Sequence, residues 1–97
     1  MTTLSLKGVV DADVAALFME ELAGLSMMDA PLTIDMREAK LEDATLIGAL
    51  VDQIREAAAR AGRVQLLEPP QVLAHNLYRV GALDGDSNIQ LVDPRTV

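Results

Sequence analysis

The sequence predicts a small α/β domain in which a mixed, mostly parallel sheet of four or five strands carries helices mainly on one face. Short segments of alternating polar and apolar residues take turns with longer segments whose apolar residues recur every three or four positions. That order is the pattern of crossover units, each returning a strand beside its predecessor. The 97 residues fit one domain, since domains commonly run to about 100–150 residues. With 51% apolar residues but only Phe18 and Tyr78 as aromatics, the core has to be aliphatic.

Leu4 and Leu6 alternate with Ser5 and Lys7, and Gly8 breaks the pattern before Val9 and Val10, which predicts one or two short strands. Asp11 or Asp13 then caps a helix on which Val14, Leu17, Phe18, Leu22 and Leu25 form one apolar face, ending between Gly24 and Met28. After Pro31, the residues Leu32, Ile34 and Met36 alternate with polar neighbours as in a half-buried strand, and Arg37 to Glu42 reads as a short connection. Asp43 stands as an N-cap before a long helix whose stripe is Ile47, Leu50, Val51, Ile54, Ala58 and Ala61. Asp52, Arg55, Glu56 and Arg60 take its outer side and Gly62 its stop. Val64 to Leu67 predicts a strand, and Pro70 opens a third helix through Tyr78, closed by Gly81. Asn88 to Val92 predicts the last strand, and residues from about Pro94 a frayed tail of this single domain, 1–97.

Eight basic against fifteen acidic side chains give a formal charge of −7, which repels nucleic-acid phosphate and anionic lipid surfaces, so neither is an expected partner. The chain lacks cysteine, and with it disulfides, thiolate metal sites and cysteine nucleophiles. No basic segment followed by an apolar run opens the sequence, and no stretch approaches the ~18 apolar residues of a membrane span, so a cytoplasmic protein not inserted in the membrane is expected.

Few residues carry motif chemistry. His75 has no Ser, Asp or Cys at a triad or metal-ligand spacing and reads as a surface or capping residue. The six glycines stand singly at breaks rather than in a phosphate-cradling loop. Asp84-Gly85-Asp86-Ser87-Asn88 resembles half of a calcium loop, but Ile89 takes the place of its turn glycine and Arg95 that of its bidentate glutamate, which leaves a polar turn. The abundant carboxylates read as solvated surface, and Met19, Met27, Met28 and Met36 as core filler. Neither cofactor, metal nor enzymatic activity is expected.

Two segments carry a resemblance. Leu4 to Asp11 is similar to a strand, glycine, two residues and an aspartate ahead of a first helix. Leu32 to Met36 followed by Leu41 to Leu50 is similar to a strand, an aspartate-serine-serine-glycine loop and a helix. Together with Ala61 to Leu66 and Val80 to Leu83, in the same order along essentially the whole chain, they resemble the STAS family of anti-sigma factor antagonists and sulfate transporters. The resemblance implies a regulatory module that binds an anti-sigma factor kinase or a similar protein, with Asp11, Asp43, Ala44, Thr45 and Leu46 at the partner face. In antagonists of that family the serine after the loop aspartate is phosphorylated, which abolishes binding. Here Ala44 holds that position and Thr45 the second hydroxyl, so Thr45 is the candidate for phosphorylation, and Leu46 replaces the loop glycine. A further branch serves as a small subunit of bacterial lipid-transport ABC systems and relies on a threonine near this turn, which makes an ABC transporter subunit the alternative partner. From chemistry alone, Asp43 and Thr45 can cap a helix, and the helix N-terminus can receive a partner's carboxylate or hold a phosphate.

Overall fold

The computed structural model describes residues 2–25, 28, 31–81 and 88–92. Four strands, β1 (Thr2–Ser5), β3 (Leu32–Asp35), β5 (Val64–Leu67) and β6 (Ile89–Val92), form a sheet in the order β1-β3-β5-β6. Every pairing within it is parallel. A separate two-stranded parallel sheet joins β2 (Gly8–Val9) to β4 (Ala39–Lys40). The helices are α1 (Ala12–Ala23), α2 (Ile47–Ala61) and α3 (Gln71–Arg79). The expected α/β class and parallel sheet are present. The residues of the calcium-like turn up to Ser87 and the expected tail lie outside the described residues.

The strand order explains why one face is covered. Each main strand is laid beside the previous one in a constant direction, and crossovers of one hand then deliver all three helices to the same side. Registered neighbours lie on one face, so Leu32 and Ile34 line up with Val64 and Leu66, all four fully buried under the helices. The opposite face carries Thr33, Asp35, Gln65 and Leu67, all only half-buried. Across it, the Thr33 hydroxyl donates to Gln65 Oε1 at 3.4 Å.

Helix α2 seals the core with the whole of its expected stripe plus Ala57. Gly62 ends it at φ +86°, a left-handed conformation that disfavours any side chain, and its N–H donates to the Ala58 carbonyl at 2.8 Å. Pro70 precedes α3, and its carbonyl receives the N–H groups of Leu73 and Ala74, each at 3.0 Å. Proline is suited to this place because its missing N–H would have had no helical partner.

The structure departs from the sequence expectations at four places. Leu17 does not join the buried face of α1 but stands 63% exposed, while Ala15, Phe18 and Leu22 are buried. Met28 is 91% exposed rather than core filler, whereas Met36 is buried. The connection from Arg37 to Glu42 contains β4, too short for alternation to register and formed only because β2 lies alongside. The segment Ala44–Leu46 is a single 3-10 turn leading into α2 rather than the first α-helical turn.

Candidate functional site

In a parallel sheet the loops that follow the strands gather at one end, and here α1, α2 and α3 all begin there. The β2–β4 pair makes this end specific. Gly8 aligns with Ala39 and Val9 with Lys40, and the Val10 N–H donates to the Lys40 carbonyl at 2.9 Å. The chain therefore leaves both strands in one direction, toward the cap of α1 at Asp11 and the turn at Asp43.

Asp11 accepts the Val14 N–H on its carboxylate at 2.9 Å. That settles the sequence's choice between Asp11 and Asp13: Asp11 is the cap and Asp13 lies in the first turn. Asp43 is bound more tightly. Its Oδ1 accepts the Thr45 N–H at 2.9 Å and the Thr45 hydroxyl at 2.6 Å, while its carbonyl accepts the Leu46 N–H at 3.2 Å. The hydroxyl bond, and after it the backbone bond, hold the Asp43 carboxyl below the usual carboxylate range, because both stabilise the charged form.

Asp43, Ala44 and Thr45 are all exposed. Leu46 is half-buried and packs against the core, so its apolar bulk is spent largely inside the domain. Just beyond, Gly48 and Ala49 are exposed, and a Cβ added at Gly48 would meet nothing within 4 Å. Nothing in the fold requires glycine at that point of a helix, where it is less favourable than alanine by about 0.5–1 kcal/mol.

The geometry changes the electrostatic reading of the turn. A bare helix N-terminus would invite an anion, but here the Asp43 carboxylate already takes the Thr45 N–H. The outward-facing group is an ionised carboxylate beside exposed Glu42, and it calls for a cation or a neutral donor.

A second ionic feature at the same end escaped the sequence reading. Asp35, at the last position of β3, receives Arg37 Nε at 3.1 Å, Arg37 Nη2 at 2.8 Å and the Arg37 N–H at 3.1 Å. The Arg37 side-chain bonds, then its backbone bond, hold the Asp35 carboxyl below its ordinary range. The signal was the spacing: an aspartate ending a strand two residues before an arginine can fold back as an Asx-type turn. Lys7 lies 3.8 Å from Glu38 across the mouth of the β2–β4 pair, both well exposed.

His75 is exposed on α3, outside this cluster. Among the described residues, no group of three or more His, Cys, Asp or Glu is gathered for a metal ion. No helix among them is long and apolar enough to cross a membrane. No curated protein matches the chain at a significant level. A family model described as "Mlab, STAS domain" matches residues 1–93.

Proposed function

From the premise that this chain belongs to the STAS domain family, we propose that it is a regulatory binding module resembling an anti-sigma factor antagonist, and that it engages an anti-sigma factor or similar protein through the turn Asp43–Leu46. Domains of this family are generally binding modules rather than enzymes. The observation that carries the reading is the exposed Asp43–Thr45 pair, fastened by two hydrogen bonds to one carboxylate oxygen and followed by the unobstructed Gly48. A rigid, charged turn is ordered before binding, so little freedom is lost when the partner docks. Gly48 and Ala49 let a partner's backbone approach the helix closely. The partner supplies a basic or donor group to Asp43, and the net charge of −7 steers a basic surface toward it. Asp11, on the neighbouring cap, extends the same acidic rim.

A second reading, as the STAS subunit of a bacterial lipid-transport ABC system, is favoured by one specific observation. Ala44 removes the hydroxyl from the usual phosphorylated position, while Thr45 keeps one in a fixed hydrogen bond. A structural threonine suits that branch without a phosphate switch, and the description of the matching family model points the same way.

A photoreactive side chain at Ala44, with one at exposed His75 as control, tests the site and separates the readings. Cross-linking inside the native cell is expected from position 44 and not from position 75. A captured histidine-kinase-like protein supports the antagonist, and a captured ABC ATPase the transporter subunit. Capture of the same protein from position 75 alone would move the interface away from the turn.

A further inference from the structure

The edge of the main sheet at β1 offers a second surface, distinct from the turn. Strand β1 pairs only with β3 among the described residues. The N–H groups of Thr2 and Leu6 donate inward to the carbonyls of Pro31 and Asp35 at 3.2 and 2.9 Å. Backbone groups alternate in direction along a strand, so those of Thr3 and Ser5 point outward. An uncharged edge of this kind, without proline, is a template for another strand.

Beside the edge lies a groove of about 250 Å³ lined by Ser5, Leu6, Lys7, Val14, Phe18 and Glu21, with Leu17 at its rim. Leu17 is 63% exposed, on the α1 turn nearest the edge. Since α1 returns antiparallel to β1, Lys7 marks one end of the groove and Glu21 the other.

We propose that this edge binds a second copy of the chain: two β1 strands pair antiparallel about a two-fold axis at Leu4, closing an eight-stranded sheet across the dimer. Thr3 of each copy then faces Ser5 of the other, and their outward N–H and carbonyl groups meet. The two Leu17 side chains converge over the pair of Leu4 residues and cover the groove. Charge selects this occupant and orientation, because the antiparallel arrangement carries Lys7 of each copy toward the end of the groove where Glu21 of the other stands. A single groove with a cation at one end and an anion at the other is complementary to its own two-fold image. The acidic turn at Asp43 remains outside this contact, so the proposal does not depend on the function proposed above.

Sedimentation equilibrium over a dilution series tests it. The wild-type chain is expected to show a reversible monomer–dimer equilibrium. Leu17→Glu should weaken it by about tenfold or more. Ser5→Pro should do the same by removing an outward N–H that the β1–β3 ladder does not use. Lys7→Glu and Glu21→Lys should each weaken the dimer, and the double exchange should restore it. Circular dichroism confirms that each variant is folded. A wild-type chain that stays monomeric throughout, grows beyond a dimer, or dimerises unaffected by Leu17→Glu and Ser5→Pro would overturn the proposal.

Discussion

Arg60 of α2 donates from Nη2 to the carbonyl of Leu22 at 2.9 Å and from Nε to that of Leu25 at 3.4 Å. Leu22 stands in the last turn of α1, where its carbonyl also accepts the Leu25 N–H at 3.1 Å, and Leu25 lies just past the helix. A guanidinium from the outer side of α2 thus closes the neighbouring helix. Arg60→Ala should destabilise the domain by about 1 kcal/mol, and Arg60→Lys should recover only part of that, because a single ammonium cannot reproduce the planar fork. Urea unfolding followed by circular dichroism measures both. Equal stability of wild type and Arg60→Ala would mean that water satisfies these carbonyls as well as arginine does.

Substitutions at Thr45 should affect stability as well as recognition, because its hydroxyl donates to Asp43 Oδ1 at 2.6 Å. Thr45→Ser keeps the hydroxyl that Asp43 accepts and should leave both unchanged. Thr45→Asp places a second carboxylate against the first, so the melting temperature should fall modestly, and affinity for the cross-linked partner should fall about tenfold or more. Thr45→Val removes the hydroxyl without adding charge and is the control that assigns the loss. Calorimetric titration of the three variants decides it. Equal affinities for Thr45→Val and Thr45→Asp would remove charge as the cause.

Gly48 and Gly62 should respond oppositely to alanine. Gly48→Ala fills open space on a helix and should raise stability by about 0.5–1 kcal/mol. If the partner lies against this helix face, the same methyl group should weaken its binding. Gly62→Ala places a side chain at φ +86° and should destabilise by about 1 kcal/mol or more. Thermal melts of the two variants give the signs directly, and a destabilised Gly48→Ala would mean that the helix start is strained.

Asp35 and Asp43 both titrate below their ordinary range in the folded chain. A depressed folded pKa contributes stability that is present above the unfolded pKa and is lost as the pH falls through the folded one, because the unfolded chain then binds more protons. Both contributions should therefore fade as the pH drops below about 4. Arg37→Ala should return the Asp35 titration toward the ordinary value and leave that of Asp43 unmoved, as followed by carboxyl carbon NMR. A rise in the Asp43 pKa on this change would reveal coupling between the two pairs, because losing the Arg37 cation disfavours a neighbouring carboxylate.

Sequence by itself determined the alternation of strands and helices, the buried stripe of α2, the stop at Gly62 and the cap at Asp43. Each depends on spacing, or on a backbone conformation that only a few residue types accept. The location of the turn was legible for the same reason, since a capping aspartate ahead of an apolar-periodic run is a local signal. Its electrostatic character was not. Whether Asp43 leaves a helix end open to anions, or fills it and presents a carboxylate, depends on the 3-10 geometry that brings Thr45 N–H and hydroxyl to one oxygen. Leu17 and Ala15 show the same division: a helical period names several apolar positions, but only the packing of α1 against α2 and the width of the sheet decide which are covered. Strand β4 had no signal of its own, because two residues cannot display alternation and exist as a strand only where β2 supplies the partner. Tertiary structure alone set the order β1-β3-β5-β6, and with it the gathering of Asp11, Asp35 and Asp43 at one end. Residues distant in sequence meet only after the crossovers have chosen a side of the sheet.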